Sequence, residues 1–196
     1  MYKVSITLLA VLVLNAAEAQ ESVVITPVGQ NFTNFSVLQF MNTSTPIWTV
    51  LTSRQPQFMC MVDMVNNTTE NIIYFNRSWM EAGGIWEHHK CYGYVNNTRL
   101  TRDAMWVTCR DHRASYEATY EVLEFATENN TCGVFHVYSG LDHKGKDWYD
   151  LRSKYDIRVG PYTTCMAEFN KRRKNQKPAT NLYNNSTCLH NKFWRR

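Results

Sequence analysis

Past its first twenty residues the chain has no apolar stretch approaching the ~18 residues that a membrane-spanning helix needs. It has no Cys-x-x-Cys pair, so the spacing typical of a zinc site is missing. Gly-x-Ser-x-Gly, His-Glu-x-x-His and a phosphate loop are also absent, which leaves no nucleophile, metalloprotease or nucleotide motif from which to argue an enzyme. Neither charge sign dominates: the net charge is +4, far from a nucleic-acid-binding excess. No repeat or low-complexity segment is present. The sequence excludes more chemistry than it names and points to a binding protein with no cofactor and no metal.

What is present begins with a leader. Lys3 precedes the apolar run Val4–Leu14, and Ala17-Glu18-Ala19 is a small-x-small cleavage site before Gln20. Residues 1–19 read as a secretory signal peptide and 20–196 as one secreted, extracellular domain. The 6 cysteines, Cys60, Cys91, Cys109, Cys132, Cys165 and Cys188, all lie beyond it. An even number in a secreted chain reads as three disulfides, whose pairing sequence alone leaves open among 15 arrangements. Glycosylation sequons start at Asn31, Asn34, Asn42, Asn66, Asn67, Asn76, Asn96, Asn129, Asn184 and Asn185, well beyond the roughly three expected by chance. They mark loops and a sugar-covered exterior. Lys171, Arg172, Arg173 and Lys174 form a basic run that reads as a solvated helix end, with contact to an anionic surface as the alternative.

Aromatic and β-branched runs with turn signals every eight to twelve residues predict strands over 46–53, 57–65, 71–79, 85–95, 103–110, 116–126, 132–139 and 147–154. A helix is predicted over 161–174, where Pro161 suits the first turn and Cys165, Met166 and Phe169 share a face. The spacing of Phe32, Phe35, Val37, Leu38 and Phe40 predicts a short N-terminal helix. The fold class is therefore all-β. Hairpin-length connections favour an eight-stranded antiparallel barrel, with the C-terminal helix on its wall, over a two-sheet sandwich.

Several segments resemble the tick salivary lipocalins, the tick histamine-binding protein family. They are Ile47-Trp48-Thr49-Val50, Cys60-Met61-Val62-Asp63, Ile72 to Ser78, Glu128 to Phe135, Trp148 to Arg152, and Pro161 to Phe169, in order across roughly residues 40–190. The resemblance implies a lipocalin barrel with bridges Cys60–Cys188, Cys91–Cys109 and Cys132–Cys165. It also implies a monomer that captures a small host mediator at a bite site and so evades inflammatory and haemostatic defence. Histamine or serotonin is the first expectation; a leukotriene or thromboxane in the barrel, or a host protein on its outer surface, are the alternatives.

An amine needs a buried carboxylate and aromatic faces, whereas a fatty-acid mediator needs a long apolar channel ending in cations. The family's amine-binding pattern is Cys-Asp-(Val/Ile/Leu), a spacer, Glu-Leu-(Trp/Tyr), a second spacer, Cys. Here it reads Cys132-Gly133-Val134, fifteen residues, Asp150-Leu151-Arg152, twelve residues, Cys165. The spacing matches, but Gly133 lacks the acid, Asp150 is one methylene shorter than Glu, and Arg152 places a cation where a ring belongs. Candidate ligand residues are Asp63, Asp150, Trp48, Trp79, Tyr120 and Phe135. Trp86, Trp106 and Trp148 are further cage candidates. Strand alternation puts Glu117 and Glu121 on one face and Glu124 on the other, and these glutamates are expected to be solvated. His88 and His89 should point to opposite faces, which argues against a shared metal.

Overall fold

Eight consecutive antiparallel strands run β1 (Ile47–Thr52), β2 (Phe58–Thr68), β3 (Ile72–Glu81), β4 (Trp86–Val95), β5 (Ala104–Arg110), β6 (Tyr116–Ala126), β7 (Cys132–Ser139) and β8 (Asp147–Ser153). They belong to a computed structural model that describes residues 35–95, 102–110, 116–140, 147–154, 162–174 and 178–189. Three short helices accompany them: α1 (Val37–Met41), α2 (Tyr162–Arg172) and α3 (Asn185–Cys188). Each predicted strand is present within a few residues of its expected bounds. Pro161, expected to open α2, lies outside the described residues, as do Asn31, Asn34 and Asn96. The compact unit that holds these elements is Phe32–Arg196.

The sheet closes on itself. Each strand pairs with the next, β8 returns to β1 (Thr49↔Arg152, Thr52↔Asp150), and β1 meets β2 at Ile47↔Asp63 and Trp48↔Val62. Closure removes the sheet edges, which settles barrel against sandwich. The β1–β2 contact is short, because β2 carries a bulge between Met59 and Val62 with Cys60 at φ 58°. Where the two strands part, the C-terminal tail enters as β9 (Thr180–Asn181), an element with no predictive signal of its own. Leu182 N–H donates to Val50 O at 2.9 Å and Cys60 N–H donates to Leu182 O at 2.7 Å, so the tail bridges the gap. The Cys60–Cys188 disulfide fastens it.

The period-2 alternation sorts the side chains into two cores. Inside the barrel, Ile73 and Phe75 of β3, Met105 and Val107 of β5, Leu123 of β6 and Phe135 of β7 are buried with Val37, Phe40 and Met41 of α1. Ser36 caps α1 by accepting Gln39 N–H, and Phe40 packs edge-on against Phe135, ring centroids 5.2 Å apart. α1 thereby fills one end of the lumen. Gly133 makes that plug fit: a Cβ there would stand 2.9 Å from both Phe40 Cε2 and Leu123 Cδ1. Outside the barrel, α2 lays Cys165 and Phe169 over Cys132, Val134 and Leu151. The Cys132–Cys165 bridge pins it there, and Cys91–Cys109 joins directly opposed residues of β4 and β5. The three bridges have the pairing that the resemblance implied.

Candidate functional site

Charged side chains lie inside this barrel at mid-height. Strand alternation turns Asp63 of β2, Arg77 of β3, Glu121 of β6, and Asp150 and Arg152 of β8 inward. All five are buried, with Glu121 at 0% exposure. Asp63 and Arg77 are direct cross-strand partners, and Arg77 forks onto Asp63 through Nε and Nη2 at 2.7 and 2.8 Å. Arg77 Nη1 donates to Glu121 Oε1 at 2.8 Å. Arg152 Nη1 donates to Glu121 Oε2 at 2.6 Å and its Nη2 to Asp150 Oδ2 at 3.2 Å. Thr119 Oγ1 adds a donor to Glu121 at 3.0 Å.

Burial alone would raise the Glu121 pKa, yet the two adjacent guanidinium groups override it and hold this carboxyl far below its usual range. Burial likewise would lower Arg77, and Asp63 with Glu121 reverses that. Two cations against three carboxylates leave the layer one negative charge in excess. The expectation that Glu121 is solvated is thus corrected. Alternation sorted the residues of the strand into two faces, but did not say that the Glu121 face was the lumen.

Beyond the charged layer, away from α1, lies a cavity of about 220 Å³. Arg77, Glu121, Asp150 and Arg152 form its floor, and Phe58, Trp79, His89 and Trp148 its aromatic wall. Trp79 stacks flat on His89 at 4.3 Å and lies 5.6 Å from Phe58. Arg54, from the β1–β2 turn, places its guanidinium 4.5 Å from Trp148 and 4.9 Å from Phe58. Buried atoms without a hydrogen-bond partner cluster here: Asp150 Oδ1, Arg152 Nε, Trp148 Nε1 and His89 Nε2. Unsatisfied buried polar atoms are rare in proteins, and here four of them belong to side chains that line the same cavity.

The structure distributes the candidate residues unevenly. Asp150 and Trp79 line the cavity. Asp63 is at the same level with both oxygens engaged by Arg77, and Phe135 lies beneath Arg152, whose guanidinium sits 4.2 Å from its ring centroid. Trp48 and Tyr120 correct the sequence reading, because both face outward. Trp48 packs on Tyr183 of the tail at 5.1 Å, and Tyr120 joins Trp106 and Tyr138 at 4.6 and 6.2 Å. Arg54, Phe58, Arg77 and His89 were not foreseen. Asp63 and Arg77 on consecutive strands carried one legible signal, opposite charges set in apolar hairpin arms.

His88 and His89 do point to opposite faces: His88 meets Ser78 Oγ at 2.8 Å on the outside. Among the described residues no group of three or more His, Cys, Asp or Glu is placed to hold a metal. The basic run is only partly free. Arg172 bonds Glu124 at 3.0 Å and also Glu168, Arg173 bonds Asn170, and the exposed Lys171 pairs with Glu168 at 3.6 Å, while Lys174 is exposed. Asn42, Asn66, Asn67, Asn129 and Asn184 are exposed, and Asn76 and Asn185 half-buried.

A closed eight-stranded antiparallel barrel, plugged at one end by a short helix, hollow at the other and flanked by a C-terminal helix, is a lipocalin fold. Solved structures agree. Apocrustacyanin C2 matches with a TM-score of 0.56 at 9% identity, covering 78% of this chain and 81% of that one. Lobster apocrustacyanin A1 matches at 0.54 with 10% identity over 78% and 81%. The siderocalin Ex-FABP matches at 0.51 with 12% identity over 71% and 88%. No family model and no curated protein matches the sequence.

Proposed function

We propose that the chain is a secreted, glycosylated, monomeric salivary lipocalin that sequesters a small cationic host mediator, a biogenic amine such as histamine or serotonin, in the cavity beside Asp150. It works as a binding protein and not as an enzyme. The observation that carries this reading is the combination of an aromatic wall, the Glu121 and Asp150 carboxylates in the floor, and a buried Asp150 oxygen without a hydrogen-bond partner. A dry cavity takes up an ammonium only against a carboxylate, and ring faces add cation–π attraction. Asp150 is the ammonium acceptor and Trp79 the stacking face; Asp63 acts through Arg77, and Phe135 through Arg152.

Size argues for an amine over a lipid: about 220 Å³ falls below the roughly 300–1,000 Å³ of sites for drug-sized ligands. The lipid-mediator reading keeps one specific support, the Arg54 guanidinium at the mouth, which would meet a carboxylate end group.

Isothermal titration of glycosylated recombinant protein with histamine, serotonin and a leukotriene tests the reading. Saturable heat with an amine is expected, at least tenfold weaker in Asp150→Asn. Heat with the leukotriene alone moves the function to the lipid reading, and no heat with any of the three removes both cavity readings in favour of a protein partner on the outer wall.

A further inference from the structure

We propose that the lumen contains a second cation site and that Arg152 is its resident ligand. A site for a guanidinium or ammonium is built from converging carboxylates and an aromatic face, closed off from water. The Arg152 head group has that setting in full. Glu121 Oε2 of β6 is 2.6 Å from Nη1, Asp150 Oδ2 of β8 is 3.2 Å from Nη2, and Asp63 Oδ2 of β2 is 3.8 Å from Nη1. The Phe135 ring of β7 lies 4.2 Å below, and the residue is 1% exposed.

Arg77 differs in how it is held: it forks onto its own cross-strand neighbour Asp63 as well as reaching Glu121 at 2.8 Å, and its guanidinium is 5.2 Å from the Phe75 ring. Arg152 bonds each of its two hydrogen-bonded carboxylates through a single nitrogen and leaves Nε without a hydrogen-bond partner.

Two consequences follow. The wild-type barrel holds no more than one mobile ligand, in the cavity above this layer, because the inner position is filled by the chain itself. Removing the arginine side chain leaves a carboxylate-lined hole that opens into that cavity, since Arg152 is part of its floor. A free guanidinium should then occupy the vacated place. This does not depend on what the wild-type cavity binds.

The test is Arg152→Ala, titrated with methylguanidinium chloride at low millimolar concentration, with calorimetry for stoichiometry and a thermal melt for stability. The variant is expected to melt lower than wild type, to take up one equivalent of methylguanidinium, and to recover at least half of the lost melting temperature. Uptake and melting shift are counted as the excess over wild type, so that any cation held in the wild-type cavity is subtracted and the variant shows one equivalent more. A folded variant that takes up no methylguanidinium overturns the proposal, as does equal uptake by wild type or a wild-type amine stoichiometry above one. Should the variant fold poorly, its refolding yield is compared in methylguanidinium and in equimolar sodium chloride. A several-fold higher yield with the guanidinium supports the site, and equal yields reject it.

Discussion

Glu121 is the keystone of the charged layer, and Glu121→Gln tests whether that layer holds the barrel together. The carboxylate accepts from Arg77, Arg152 and Thr119 with no exposure to water. An amide offers one acceptor oxygen where two were used and turns an N–H₂ toward a guanidinium. Breaking one member of a buried ion-pair set costs about 3–5 kcal/mol, a large share of the roughly 5–15 kcal/mol by which domains are stable. With a urea slope of about 1–3 kcal/mol per molar, the unfolding midpoint should fall by roughly 2 M.

The acid limb gives a second readout. The Glu121 pKa is held far below its ordinary value of 4.5 in the folded state. The unfolded chain therefore binds a proton near 4.5 that the folded chain refuses. The stability this group contributes is complete above that pH and is lost progressively as pH falls. Glu121→Gln should remove that part of the acid slope. Denaturant melts between pH 3 and 7 decide the matter. A loss under about 1 kcal/mol with an unchanged urea slope, or an unaltered acid limb, refutes a structural role for the layer.

Gly133→Ala should cost about 1–3 kcal/mol by overpacking against Phe40 and Leu123, seen as a lower melting temperature; a neutral result would mean α1 can move aside. His136, on the outer wall, bonds Glu124 at 3.1 Å and Asp147 at 2.7 Å. Burial would lower its pKa, but these bonds raise it above 6.5. Its contribution is therefore complete below 6.5 and fades as pH rises through the higher folded value, so wild type and His136→Asn should converge in melting temperature toward alkaline pH. Cys188→Ser should cost about 2–4 kcal/mol and speed hydrogen exchange at the Leu182 and Cys60 amides that zip the tail to the wall.

Local signals carried most of the architecture. Turn residues such as Gly83-Gly84 and Asn129-Asn130, with β-branched and aromatic runs between them, delimited the strands because hairpins are specified by neighbours in sequence, whereas Asn66-Asn67, expected to turn, continues β2. What was not legible depends on which strand face becomes the inside. Trp48 and Tyr120 look like pocket residues, yet the outer wall is also covered, by the tail at Trp48 and by neighbouring rings at Tyr120, so aromatic side chains are at home there. Glu121 looks like a solvated charge until two arginines from other strands are brought to it. β9 is two residues long and has no period to read. For the candidate site, Asp150 was found through the amine-pattern spacing and Asp63 as a charge among apolar neighbours. Arg54, Phe58 and His89 became neighbours of the cavity only through closure.

The tail in the seam also dictates an order of events. β1 is among the first strands to be synthesised, but it meets β2 only at Ile47 and Trp48, and its other partners include Leu151, Arg152, Thr180 and Asn181, about a hundred or more positions downstream. Such distant pairing is slow, and an unpaired strand is exposed to association with other chains in the meantime. Ile-Trp-Thr-Val-Leu-Thr must wait with its edge open until nearly the whole chain has emerged. The length of that wait, more than any contact in the finished barrel, is where folding of this chain is most vulnerable.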